Sequence, residues 1–236
     1  MNTSPNWTSK ASRQSLPVEA SLLRHDLRRR LCGGACGGLS TFRTTSGGLS
    51  AQAILRRAPP EFALAGLSMG GYIALEIMRI APERVTRLAL LDTSARPDTD
   101  AARQARGTLM DFARDEGMRA VLMRLMPNAV HPSRFDDKAL VNRIVQMAWE
   151  LGTDTFYRQT GAIMGRQDSR DLLKEIWRPT LVAAGDSDKI TPPELAREMV
   201  SGIVGLKLML FPECGHFSSI ERPAAVTAAL RDWLTA

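Results

Sequence analysis

From Phe62 onward, short apolar runs alternate with longer stretches whose apolar residues recur at helical spacing. Phe62 to Ala65 is one such run, and Tyr72 to Ile80 behind it carries a helix-compatible pattern. Thr86 to Leu91 follows, and within it Leu88-Ala89-Leu90-Leu91 shows no polar alternation, which predicts a strand buried on both faces. Leu181 to Gly185 and Lys207 to Phe211 read as two further strands. The last stretch, Pro223 to Leu234, places Val226, Leu230, Trp233 and Leu234 on one helical stripe, a pattern that assigns them to the core. Strands and helices in turn predict an α/β fold with a mostly parallel sheet covered on both faces. The alternation stops between Asp92 and Trp177. From about Asp100 to Lys174 the chain reads as several helices, with Pro127, Pro132 and Gly152 as breakers and amphipathic runs at Met118 to Met126 and Leu140 to Trp149.

A length of 236 residues with 44% apolar content suits one such domain with an inserted element. No internal repeat is visible, and no apolar run approaches the roughly 20 residues of a membrane span. Charge divides the chain unevenly. Residues 1–50 hold seven Lys or Arg against two acids, a net +5 out of the +6 of the whole chain, so residues 51–236 are nearly neutral. The basic segment has only Trp7 and Phe42 as aromatics, too few interleaved rings for nucleic-acid binding as the main function. It contains no clear buried strand, and its Gly-rich stretches, Cys32 to Gly38 and Ser46 to Gly48, lack the flanking apolar strands of a phosphate loop. Cys32 and Cys36 have no neighbouring ligands to complete a metal tetrahedron. With Cys214 the third and last cysteine, the count points to a reducing, cytoplasmic setting.

The candidate chemistry begins at Gly66-Leu67-Ser68-Met69-Gly70. A strand that turns sharply into a helix through G-x-S-x-G is the nucleophile elbow of serine hydrolases. The turn strains the serine backbone, and glycines two before and two after are expected where a side chain would clash. It also pushes the Ser68 hydroxyl clear of the sheet and leaves the backbone N–H of Met69 as an oxyanion donor. An activated serine needs a base, and the base an orienting carboxylate. Of the three histidines, His216 follows a strand and precedes a helix, where a base belongs, whereas His25 and His131 read as surface residues. The loop after Gly185 offers Asp186 and Asp188, followed by a helix start with Thr191 as N-cap, Pro192 at the first position and Glu194 at the third.

Gly-Leu-Ser-Met-Gly-Gly at 66–71, the G-x-x-D-x-x-T-P segment from Gly185 to Pro192, and Gly215-His216 followed by Glu221-Arg222-Pro223 together resemble the α/β-hydrolase superfamily, most closely its small, capped esterase and enol-lactonase-like members. The likeness runs from about Ala51 to Ala236. It implies an α/β-hydrolase core over 51–92 and 177–236, with 93–176 as a helical cap whose Met110, Phe112, Met123, Met126, Met147, Trp149, Phe156, Tyr157 and Met164 are divided between cap core and an acyl pocket. It also implies Asp188 as the triad acid between Ser68 and His216, with Asp186 and Asp92 as the alternatives. The family normally opens with strands leading to a His-Gly or Pro-Gly loop that donates the second oxyanion N–H. Residues 1–50 hold no match, so that donor is unidentified. A targeting peptide, a divergent folded region and a mistranslated stretch compete as readings of the segment, and the abrupt return of the pattern near Ala51 favours the last.

The expected activity is hydrolysis of a small-molecule carboxylic ester through an acyl-enzyme, with no metal or organic cofactor and no nucleic-acid partner. A lactonase, a C–C bond hydrolase or a thioesterase would use the same residues. A binding protein with impaired catalysis is the alternative from another class.

Overall fold

The unbroken apolar run at Leu88 to Leu91 forms the inner part of strand β2 (Val85–Leu91), and every residue of it is buried. Its side chains divide by parity, as a pleated strand requires. Leu88 and Leu90 enter one hydrophobic cluster, Ala89 and Leu91 a second on the opposite face. The same division recurs in β3 (Thr180–Gly185), where Val182 and Ala184 face the first cluster and Leu181 and Ala183 the second. This is the computed structural model of the protein. It describes residues 47–204 and 206–236. The expectations for the basic segment that fall on residues 1–46 lie outside the described residues.

Among the described residues the sheet has four parallel strands in the order β1-β2-β3-β4, with β1 at Phe62–Leu67 and β4 at Lys207–Phe211. Helix α1 (Gly47–Leu55), α2 (Met69–Ile80) and α6 (Pro193–Gly202) contribute Ala51, Ile77 and Met199 to the first cluster. Helix α8 (Pro223–Thr235) covers the other face with Val226, Leu230 and Trp233, as its stripe predicts. Two short helices, α5 (Arg170–Leu173) and α7 (Ser218–Glu221), complete the core.

Between β2 and β3 run two long, mutually packed helices, α3 (Asp100–Ala129) and α4 (Lys138–Met164). Each has a side-chain cap: Thr99 accepts from the Ala102 N–H and Asp137 from the Leu140 N–H. Each is also broken once by a glycine at positive φ, Gly117 in α3 and Gly152 in α4. Gly152 is an expected breaker. Pro127 is not one: α3 continues through it to Ala129, forgoing the one N–H bond to the preceding turn that a proline cannot make. The two ends of the insertion are fastened by one buried acid, since Asp98 accepts from Arg106 at 2.7 Å and from Arg166 at 2.6 Å. At its other extremity the insertion packs onto the chain after β4, where Met126, Val130 and Leu140 meet Phe217 and Ile220.

Candidate active site

Strand β1 ends at Leu67 and helix α2 begins at Met69, so one residue makes the whole turn. Ser68 does so at φ 51° and ψ −116°, a left-handed conformation that costs a non-glycine residue energy. Neighbouring bonds hold it there. The Ser68 N–H donates to the Leu91 carbonyl at 2.9 Å, and the Thr93 hydroxyl donates to the Ser68 carbonyl at 2.8 Å. Gly66 is required by close approach, because a Cβ there would lie 2.2 Å from the Gly70 carbonyl oxygen. The expectation for the second glycine needs correcting. A Cβ on Gly70 would meet nothing within 4 Å among the described residues, and the tight position is Gly71, where it would lie 2.4 Å from Thr93 Oγ1. Met69 is the first residue of α2, so its N–H has no acceptor within the helix.

The structure brings Ser68, His216 and Asp188 into one hydrogen-bonded line. His216 Nε2 lies 2.8 Å from Ser68 Oγ, and Nδ1 lies 2.8 Å from Asp188 Oδ2. A carboxylate can only accept, which places the ring proton on Nδ1 and leaves Nε2 to accept from the serine hydroxyl. Asp188 and His216 are buried, while Ser68 is partly exposed. Asp188 is itself fixed by three further donors. Its Oδ1 accepts from the Ile190 and Thr191 N–H groups at 2.8 and 3.0 Å, and its Oδ2 from the Thr191 hydroxyl at 2.7 Å. Thr191 therefore does not cap the next helix. That helix starts at Pro193 with Pro192 as an N-cap that makes no side-chain bond, and the Thr191 hydroxyl is drawn instead to the buried carboxylate. The spacing Asp188-x-x-Thr191 carried the signal, because an aspartate readily accepts from the N–H groups two and three residues on.

The two alternative acids do other work. Asp186 is exposed and accepts from the Glu213 and Cys214 N–H groups, tying the start of the His216 loop to β3. Asp92 is fully buried, at φ 45°, directly after β2. It accepts from the Gly185 N–H at 3.0 Å and bonds the Ser218 hydroxyl through a short contact, so it joins the end of β3 to the residue two after His216. Burial pushes its carboxyl up to about 7, against the opposing influence of His216 and the Ser218 bond. His131 stands apart from Ser68, its ring facing the Ser133 hydroxyl at 2.7 Å.

A cavity of about 210 Å³ opens beside Met69, bounded by Tyr72, Ile73, Ser94, Ile163 and Arg166. None of the nine Met and aromatic residues expected to be shared between cap core and pocket lines it. Met126 and Met147 are core, Phe112 and Phe156 pack within the insertion, and Met123 and Trp149 are exposed. Among the described residues no cluster of His, Cys, Asp or Glu has the makings of a metal site, and no helix is long and apolar enough to cross a membrane.

Comparison with known proteins places this geometry in context. A family model described as the alpha/beta hydrolase fold matches residues 58–223. The provisionally assigned non-heme bromoperoxidase BpoC of Mycobacterium tuberculosis is 29% identical over 171 residues, which cover 70% of this chain and 64% of that protein. The chain thus spans a little under two thirds of that relative's length. A thermophilic esterase from Thermogutta terrifontis superposes with a TM-score of 0.79 at 28% identity, covering 92% of this chain and 84% of the esterase. The enol-lactonase of Burkholderia xenovorans LB400 gives a TM-score of 0.70 at 26% identity, over 81% of this chain and 72% of the lactonase.

Two predictions follow from the local geometry. Gly66→Ala must displace the Gly70 peptide and should lower stability by about 3 kcal/mol or more. Gly70→Ala should leave stability unchanged or raise it by up to about 1 kcal/mol. Thermal melts of the two variants check the contrast, and equal losses would contradict it. Asp92 gives a pH signature. Its native carboxyl keeps the proton up to about 7, whereas the unfolded chain releases it near 4. The contribution is therefore fully present below about 4 and is lost as pH rises through 7. Asp92→Asn, neutral throughout, should gain relative to wild type between pH 5 and pH 8, by about 3 kcal/mol at most. Denaturant titrations at both pH values measure the difference, and a gap independent of pH would refute the assignment.

Proposed function

The chain belongs to the α/β-hydrolase fold family, and from that premise we propose that it hydrolyses a carboxylic ester of a small molecule through a covalent acyl-enzyme. The observation that carries the proposal is the line from Ser68 Oγ through the His216 ring to Asp188, with 2.8 Å at each junction.

Ser68 Oγ attacks the ester carbonyl carbon while its proton passes to His216 Nε2. Asp188 keeps the ring in the productive tautomer and stabilises the imidazolium that forms. The Met69 N–H receives the oxyanion, aided by the positive end of α2. As the tetrahedral intermediate collapses, the leaving alkoxide takes the Nε2 proton and departs as alcohol. A water molecule then gives a proton to Nε2 as its oxygen attacks the acyl carbon. Collapse returns that proton to Ser68 and releases the carboxylic acid. In this reading residues 51–92 and 177–236 form the catalytic core and 93–176 its cap. The likeness to an enol-lactonase favours one second reading, a cyclic ester opened by the same steps.

Turnover of short-chain nitrophenyl esters and simple lactones by the purified full chain tests the proposal. Ser68→Ala should lose at least about 10³-fold in kcat/KM, and Asp188→Asn about 10⁴-fold, with melting temperatures near that of wild type. A folded wild type as inactive as Ser68→Ala on every ester and lactone would overturn it.

A further inference from the structure

Glu221 ends helix α7 and is 2% exposed, one of the largest fully buried side chains in the protein. A carboxylate so enclosed has to be satisfied by the protein. Among the described residues no ion pair reaches its side chain; the nearest arginine bond goes to its backbone carbonyl, which accepts from Arg134 Nη1 at 2.8 Å. Backbone N–H groups satisfy it instead. Oε1 accepts from Gly215 at 3.1 Å and Phe217 at 3.2 Å, and Oε2 accepts from His131 at 2.9 Å and Gly215 at 3.1 Å. Gly215 and Phe217 are the two neighbours of His216. One carboxylate thus grips the chain immediately before and immediately after the ring-bearing residue.

The third donor comes from elsewhere. His131 lies just beyond α3, and the stretch 128–131 touches both loops that carry the proposed acid and base. The Ala129 carbonyl accepts from the His216 N–H at 2.8 Å, and the Asn128 carbonyl accepts from the N–H of Lys189, the residue after Asp188, at 3.3 Å. Gly215 is pressed so close to this stretch that a Cβ would lie 2.6 Å from the Ala129 oxygen and 2.9 Å from the His131 nitrogen. The loop from Pro212 to Phe217 has no helix or strand of its own to hold it. A base must be held within about 0.5 Å of its productive place, so such a loop needs an external brace.

We propose that Glu221 is a positioning residue for His216, fixing the peptides on both sides of the ring and fastening them to Asn128–His131 of the helical insertion. The inference rests on the reading of His216 as the catalytic base. Glutamine in its place keeps the shape but turns an NH₂ group toward backbone donors, which loosens the loop without removing any group that touches substrate.

Two variants of the full chain test it. Glu221→Gln should lower kcat about 10- to 100-fold with KM held within about threefold, and should move the acidic limb of the kcat/KM profile against pH. The second variant, His131→Pro, puts the proline ring carbon where the N–H stood, so it both removes that donor and pushes Oε2 away, while its backbone at φ −62° already suits proline. Measured against His131→Ala, which loses the same ring but keeps the N–H, it should lose about 3- to 10-fold in kcat. Nuclear magnetic resonance of ¹⁵N-histidine-labelled protein supplies a readout free of turnover: the His216 Nδ1–H signal should shift or broaden in both variants. Folded variants whose kcat and His216 signal equal those of their references would overturn the proposal. A wild type without turnover would instead remove the hydrolase reading, and the Nδ1–H signal alone would then decide the positioning role.

Discussion

The register of the four parallel strands is the constraint on which the rest of the structure depends. Leu67 pairs with Leu91, Leu91 with Ala183, and Gly185 with Phe211, so all four strands stop at the same edge. Residues remote in sequence therefore arrive side by side: Ser68 one step after β1, Asp188 three after β3 and His216 five after β4. That edge is where open parallel sheets present their ligands and chemistry. The register itself follows from burial on both faces. A slip of one residue in β2 or β3 would exchange the side chains of the two hydrophobic clusters, leaving large residues where small ones now fit.

Four carboxylates are buried around this edge and its insertion, and the way each is satisfied separates their roles. Asp188 accepts from two N–H groups, one hydroxyl and the imidazole. Asp98 is met by two arginines and closes the base of the insertion. Glu221 is met by backbone alone. Asp92 has the fewest donors for its burial, one N–H and one hydroxyl, and its carboxyl rises accordingly. Of the three acids weighed for the partner of His216, only Asp188 has an oxygen within bonding distance of the ring.

The legible parts of the chain were those that local patterns encode. The strands at Leu88 to Leu91 and Lys207 to Phe211, the stripe of α8 and the glycine-flanked Ser68 can each be read within a few residues. What stayed hidden depends on contacts between distant segments. Thr93 holds the Ser68 carbonyl from 25 residues away, and it is Thr93 that makes Gly71, not Gly70, the crowded glycine. Thr191 reads as a helix cap by propensity, yet a buried carboxylate offers its hydroxyl a stronger partner than a solvated helix end. Gly117 breaks α3 without a flanking proline to announce it. The methionines of the insertion look alike in sequence, and only packing sorts Met126 and Met147 into cores while leaving Met123 exposed.

The central claim is that Ser68 is an activated nucleophile, and covalent labelling measures that most directly. A fluorophosphonate reacts with a serine whose proton a neighbouring base can take. Tryptic peptide 58–79 contains Ser68 as its one serine, so mass spectrometry can locate the adduct without ambiguity. The account predicts a single phosphonyl group on that peptide, formed by the folded protein and abolished by prior denaturation. A folded protein that stays unlabelled, or that carries the group on another serine, would contradict it.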